Sequence, residues 1–120
     1  MEEKNLEIFR KSGALLAGHF QLTSGRHSNI YLEKFSVLQK AEYTEFLCKQ
    51  IAAHFKKHKI DVVVGAAVGG IILAYETARQ LKVRGIFMER EEGKLKFRRG
   101  FTVNEGEKVL IAVSYTHLTL

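Results

Sequence analysis

A single cysteine, Cys48, is all the thiol this chain has, and it falls inside a helical pattern. A lone thiol excludes a disulfide framework and fits a reducing compartment, with Cys48 as an inert packing residue. No apolar run approaches the roughly 20 residues a membrane span needs, and the opening MEEKNLEIF is too acidic and too broken for a secretory leader. Together these absences predict a soluble, cytoplasmic protein with no membrane partner. Massed charge is missing too. The net charge is +6 and the pI near 9.6, but the basic residues are scattered among 13 acidic ones, except at Lys56-Lys57-His58-Lys59 and from Lys94 to Arg99. Because aromatic and basic residues do not interleave on any predicted sheet face, nucleic acid is not an expected partner, and a phosphorylated small molecule is. With 120 residues, 46% of them hydrophobic, there is material for one domain, though little for a complete α/β enzyme.

What is present centres on Ile60 to Leu81, IDVVVGAAVGGIILAYETARQL. Asp61 is followed by three valines, the pattern of a strand buried on both faces. Gly65 stops it, Gly69 and Gly70 permit a tight turn or a close ligand approach, and Ile71, Ile72, Tyr75 and Ala78 recur at helical spacing. A helix is therefore predicted to start near Gly70. Its unpaired N–H groups and positive dipole end make the turn a candidate seat for phosphate or pyrophosphate, although many such turns bind nothing. Neither common phosphate-loop template fits: the Walker Lys and Ser/Thr are absent, and so is G-x-G-x-x-G.

Elsewhere, Glu2 to Ser12 reads as a short helix stopped by Gly13. His19 to Thr23 and Ser28 to Phe35 alternate as two strands joined by a turn at Ser24-Gly25. Lys40 to His58 is the clearest helix, with Tyr43, Leu47, Ile51 and Phe55 at successive i+4 positions, and it is predicted to cover the sheet. Its His54 and His58 have the spacing of a metal pair but no evident third ligand, so they read as solvated and no protein metal site is expected. Val83 to Met88 reads as a strand, Glu89 to Lys94 as a charged loop, Leu95 to Val103 as a strand, Asn104 to Glu107 as a turn, and Lys108 to Val113 as a buried strand. The order predicts a parallel core with an antiparallel appendage.

Four blocks resemble the bacterial orotate phosphoribosyltransferases, of the type I phosphoribosyltransferases. They are G-A-L-L-x-G-H-F-x-L-T-S-G-x-H-S-x-x-Y (Gly13 to Tyr31), V-G-A-A-V-G-G-I-I-L-A-Y-E-x-A-R (Val64 to Arg79), F-x-E-R-E-x-G…R-R-G-F (Phe87 to Phe101) and G-E-x-V-L-I-A (Gly106 to Ala112). The resemblance implies an α/β fold with a mostly parallel sheet flanked by helices, a small N-terminal antiparallel hood over about residues 14–35, and a domain over 1–112 that is incomplete at its C-terminus. It implies transfer of phosphoribose from phosphoribosyl pyrophosphate to orotate, with Mg²⁺ carried on the phosphates, in a homodimer. Ala66, Ala67, Val68, Gly69 and Gly70 would cradle pyrophosphate, while Ser24, Gly25 and His27 would contact substrate from the hood. Arg90 and Lys94 would act as the catalytic cations of a mobile loop that reaches the neighbouring subunit. Another phosphoribosyltransferase, acting on a purine base, and a non-catalytic ligand-binding module of the same fold are the alternatives.

Departures from the resemblance fall at single loop positions and, more seriously, at the end, where the Thr-Gly-rich loop that follows V-L-I-A in the family is absent. Ala66 stands where a proline is common, and Gly69 where some relatives carry a lysine. Val113 and Ser114 occupy a place where the family has two acidic residues, and the segment 113–120 reads as a tail foreign to the family, which predicts a chain without turnover.

Overall fold

The computed structural model describes residues 2–13, 15–21 and 27–114. Helix α1 (Glu2–Lys11) ends, as its sequence predicts, at Gly13 with φ +76°. Strands β1 (Leu15–Gln21) and β2 (His27–Leu32) then pair antiparallel as a separate two-stranded sheet, the expected hood. Its strands differ in extent from the prediction. β1 starts earlier, at Leu15, and β2 stops at Leu32 because the Glu33 carboxylate accepts a hydrogen bond from the Phe35 N–H and opens a short helix, α2 (Lys34–Leu38).

Helix α3 (Ala41–Phe55) continues into a 3₁₀ turn, Lys56–His58, that ends on Lys59 in the left-handed region. Its buried line is Thr44, Cys48 and Ala52, offset by one from the larger residues the periodicity picks out. These small side chains let α3 lie against α4 (Gly69–Leu81), and it is α4 that covers the sheet directly. The larger residues flank the seam: Tyr43, Phe46 and Leu47 pack with Ile8 and Val37, whereas Ile51 and Phe55 reach the core around Val63. Reciprocal side-chain amide bonds between Asn5 and Gln50 (2.9 and 3.3 Å) tie α1 to α3. Cys48 is fully buried, and burial pushes its thiol pKa up, as suits an inert packing residue.

The second sheet has the order β5-β4-β3-β6, from β3 (Val62–Ala66), β4 (Arg84–Glu91), β5 (Lys94–Phe97) and β6 (Val109–Ala112). β3 is parallel to both β4 and β6, and β5 runs antiparallel to β4. Val63 enters the core beneath α4 with Ala74, Ala78 and Leu110, while Val62 and Val64 point to the other face with Ile86, Met88, Phe101 and Val103. The valine run thus buries on both sides. Each such side chain contributes about 1.5–3 kcal/mol as an upper figure, which packing supplies and propensity could not.

Two sequence expectations fail between residues 89 and 103. Glu89 to Lys94 is not a loop: β4 runs to Glu91, and Glu92 and Gly93, at φ +52° and +78°, form a two-residue turn into β5. Two consecutive positive φ values match the right-handed twist of the flanking strands, which is why so short a connection closes a hairpin. Nor does one strand run from Leu95 to Val103. Arg99 and Gly100 also take positive φ, and the Phe101 N–H donates to the Arg98 carbonyl, folding Phe101 back to meet Phe87 edge-on at 5.1 Å. The turn predicted at Asn104 to Glu107 is present, closed by the Glu107 N–H to the Asn104 carbonyl.

Candidate anion site at the end of the central strand

β3, β4 and β6 all point their C-terminal ends to one edge of the sheet, and the segment Ala66 to Gly70 lies there between β3 and α4. Open parallel sheets bind ligands at that edge. The turn is built by close approaches that only glycine allows. A Cβ on Gly65 would collide with the Gly70 carbonyl and stand 2.9 Å from the Ala74 methyl, while one on Gly70 would stand 2.5 Å from the Ala112 carbonyl oxygen. The Ala67–Val68 peptide is cis.

The loop's amides are not equivalent. The Ala67 N–H donates to the Met88 carbonyl at 2.8 Å, so it belongs to the scaffold and not to a ligand. Val68 precedes α4 with no side-chain cap, its side chain 70% exposed, and no acidic residue lies in the first turn. Helical geometry leaves the first amides of α4, at Gly69 and Gly70, without partners inside the helix, and their end of the dipole is positive. A neutral, uncapped helix start at this edge has the polarity that suits an anion, and no acidic residue of the first turn opposes one.

Lys34, which the sequence pattern places in a strand but which opens α2, completes the neighbourhood. From the first residue of α2 its Nζ lies 2.8 Å from where a Cβ on Gly69 would stand, and the Ser114 Cβ lies 3.2 Å from the same point. A lysine placed directly after a strand and next to an aromatic residue is the only sequence signal that could have marked it.

The candidate catalytic cations are separated. Arg90 pairs across the hairpin with Leu95, and Glu91 with Lys94, so Arg90 and Lys94 occupy adjacent rungs and project to opposite faces. Both are exposed. Their neighbours are engaged: Arg99 with Glu89 at 2.9 Å and Arg98 with Glu91 at 3.8 Å. Arg99 holds the Glu89 carboxyl below its usual range. Among the described residues Arg90, Lys94 and Lys34 have no such carboxylate. Because β3 pairs with β4 only as far as Ala66 with Met88, Glu89 to Glu91 carry the hairpin roughly 10 Å past the loop, at about 3.3 Å per residue.

Of the hood residues, His27 opens β2 opposite Gln21, whereas Ser24 and Gly25 lie outside the described residues, as does the tail from Tyr115. Among the described residues no three His, Cys, Asp or Glu side chains are grouped to hold a metal ion. A hollow of about 450 Å³ with Lys49, Lys56, Lys59 and Lys82 on its walls sits at the far ends of α3 and α4, where lysines complement the negative helix ends. No helix is long and apolar enough to cross a membrane.

Comparison with solved structures gives the fold. The chain superposes over 90% of its length on UMP synthase from Leishmania donovani (TM-score 0.73, 18% identity, 24% of that chain). It superposes over 89% on orotate phosphoribosyltransferase from Aeropyrum pernix (TM-score 0.62, 20% identity, 61% of that chain). Its fold is that of the type I phosphoribosyltransferases, represented in part. No protein-family model matches. Curated relatives are more specific: orotate phosphoribosyltransferases from Thermoanaerobacter sp. (54% identical over 110 residues, 92% of this chain) and Pelotomaculum thermopropionicum (56% over 104 residues, 87% of this chain). Over the residues it spans, the chain is an orotate phosphoribosyltransferase homologue. It spans 58% and 55% of the length of those two relatives.

Proposed function

We propose that this chain carries the pyrophosphate-binding part of an orotate phosphoribosyltransferase site, and that the protein it represents transfers phosphoribose from phosphoribosyl pyrophosphate to orotate. The observation that carries this reading is the uncapped start of α4, at the C-terminal edge of the sheet, in a chain 54% identical to enzymes of that name.

In the proposed reaction a ring nitrogen of orotate attacks the anomeric carbon as the carbon–oxygen bond to pyrophosphate breaks. Negative charge gathers on the departing group, so preorganised donors stabilise the transition state more than a general acid or base could. The amides of Gly69 and Gly70 are such donors, held in place by Gly65, Ala112 and the Ala67–Met88 bond. Ser24, Gly25 and His27 are assigned to the base from the hood. Arg90 and Lys94 are assigned to the phosphates, and since they project to opposite faces of the hairpin, only one serves a given site. The hairpin's overhang is the feature that suits reach into a neighbouring subunit of a homodimer. Mg²⁺ would enter on the substrate's own phosphates. Cytoplasmic location accords with the lone buried thiol.

Without a carboxylate at Val113 or Ser114, this chain has no candidate partner there for the ribose, and orotate-dependent release of pyrophosphate by the 120-residue chain is expected to be absent. The binding half of the reading is tested by titrating inorganic pyrophosphate into the chain and following backbone amide resonances. Shifts concentrated at Gly69 and Gly70, with Ala67 largely unmoved, are expected. Unchanged shifts at millimolar pyrophosphate would refute it.

A further inference from the structure

We infer that Lys34 supplies the cation of the pyrophosphate seat, reaching it from α2 across the space that Gly69 leaves empty. This rests on the pyrophosphate reading above and adds a residue to it. Three features of the molecule support the assignment. First, the Lys34 Nζ and Cε would lie 2.8 and 2.9 Å from a Cβ on Gly69, so the ammonium occupies the volume that a side chain at position 69 would fill. Second, Lys34 is only partly exposed and has no carboxylate partner among the described residues. Its one described charge contact is with the Phe35 ring, whose centroid is 5.4 Å away. A cation held against a neutral helix start, with no counter-charge, leaves unmatched positive potential at that point. Third, the Glu33 cap fixes the first turn of α2, which carries buried Val37 and Leu38, so the lysine stem springs from an anchored helix.

The geometry makes position 69 and position 34 alternatives. One cation fits over the loop, provided either by a long side chain from α2 above a glycine or by a side chain on α4 itself. Gly69 leaves room here for the end of the Lys34 side chain and not for backbone, since the atoms nearest its Cβ position belong to side chains and its φ is not in the left-handed region. A lysine at 69 collides with Lys34 but not with a shortened residue 34, where only the 3.2 Å approach to the Ser114 Cβ remains to be relieved.

The test is a swap, read by titration of inorganic pyrophosphate into the full 120-residue chain, with amide shifts at Gly70 and thermal melts as a control for folding. Lys34→Ala is expected to weaken binding roughly tenfold, the scale of one partly solvated charged contact, and Lys34→Arg to keep most of the affinity. Gly69→Lys alone should bind no better than the parent. Gly69→Lys combined with Lys34→Ala should recover affinity to within about threefold, because the lost ammonium returns to the same place. Equal binding by parent and Lys34→Ala would overturn the inference while leaving the pyrophosphate seat intact. Additive gains from Gly69→Lys in the presence of Lys34 would overturn it too, since the two cations would then have separate places. Failure of the parent itself to bind would refute the underlying reading along with the inference.

Discussion

The Ala67 N–H donates to the Met88 carbonyl at 2.8 Å, one residue beyond the last parallel pair of β3 with β4, Ala66 with Met88. That bond extends the sheet into the loop. The strand-to-helix connection is thereby fixed on one side by β4, and on the other by the approach of Gly70 to the end of β6.

Substitution at the loop glycines should therefore damage the fold before it damages any chemistry. A methyl on Gly70 would stand 2.5 Å from the Ala112 carbonyl, and one on Gly65 would meet backbone and the Ala74 methyl, none of which is a flexible side-chain end. Gly65→Ala and Gly70→Ala are each expected to lose roughly 1–3 kcal/mol, the usual cost of overpacking, as a lower urea midpoint at unchanged slope. A midpoint equal to that of the parent would show that β6 can retreat freely.

The hairpin offers the opposite expectation. Glu92 holds φ +52°, a conformation that costs a side-chain-bearing residue roughly 1 kcal/mol and suits asparagine better. Glu92→Asn should raise stability by a few tenths to about 1 kcal/mol and slow amide exchange in β5. Faster exchange there would contradict the turn.

Thr77 is fully buried, and among the described residues its hydroxyl has beside it only the Cys48 thiol, a weak hydrogen-bonding group. Thr77→Val keeps the shape and removes an oxygen that only a weak thiol contact serves, so it should be neutral or stabilising by up to about 1 kcal/mol in a thermal or urea melt, whereas loss of a strong hydrogen bond would make it destabilising.

Acid should loosen the connection between β5 and β6 through Glu107. The Asn104 N–H and then Arg84, both 2.7 Å from its Oε1, hold its carboxyl below the ordinary value of 4.5. A depressed folded-state pKa means that the stabilisation is complete above the unfolded value and is lost as pH falls below about 4.5 through the folded one. Glu107→Gln should flatten the acid limb of a stability-against-pH curve. An identical acid limb in both proteins would remove Glu107 from the account.

The sequence carried the core more plainly than the periphery, for physical reasons. Val62 to Val64 could be read as a two-sided strand because dense β-branching has few other uses, and Gly65 and Gly70 marked the turn because close backbone approaches leave no room for a Cβ. The α3 face was read one residue out of register: the large apolar residues announce themselves, but the small Thr44, Cys48 and Ala52 are what let α4 come close. Glu92-Gly93 escaped notice as a hairpin turn since glutamate is not the residue such turns favour. Lys34 was invisible for a different reason. Its meaning lies in its distance from Gly69, which no local pattern encodes.

Insertion of β6 beside β3 has a consequence in time. The valine strand can pair with β4 through the α4 crossover as soon as both exist, but the Gly70 side of the loop is closed only by Ala112, near the far end of the described chain. The turn is thus opened by one strand early in synthesis and finished by another late, so an emerging chain would have the helix before it had the rigid turn. On this topology the pyrophosphate affinity proposed for the turn would report the arrival of β6 and could serve as a clock for the last step of assembly.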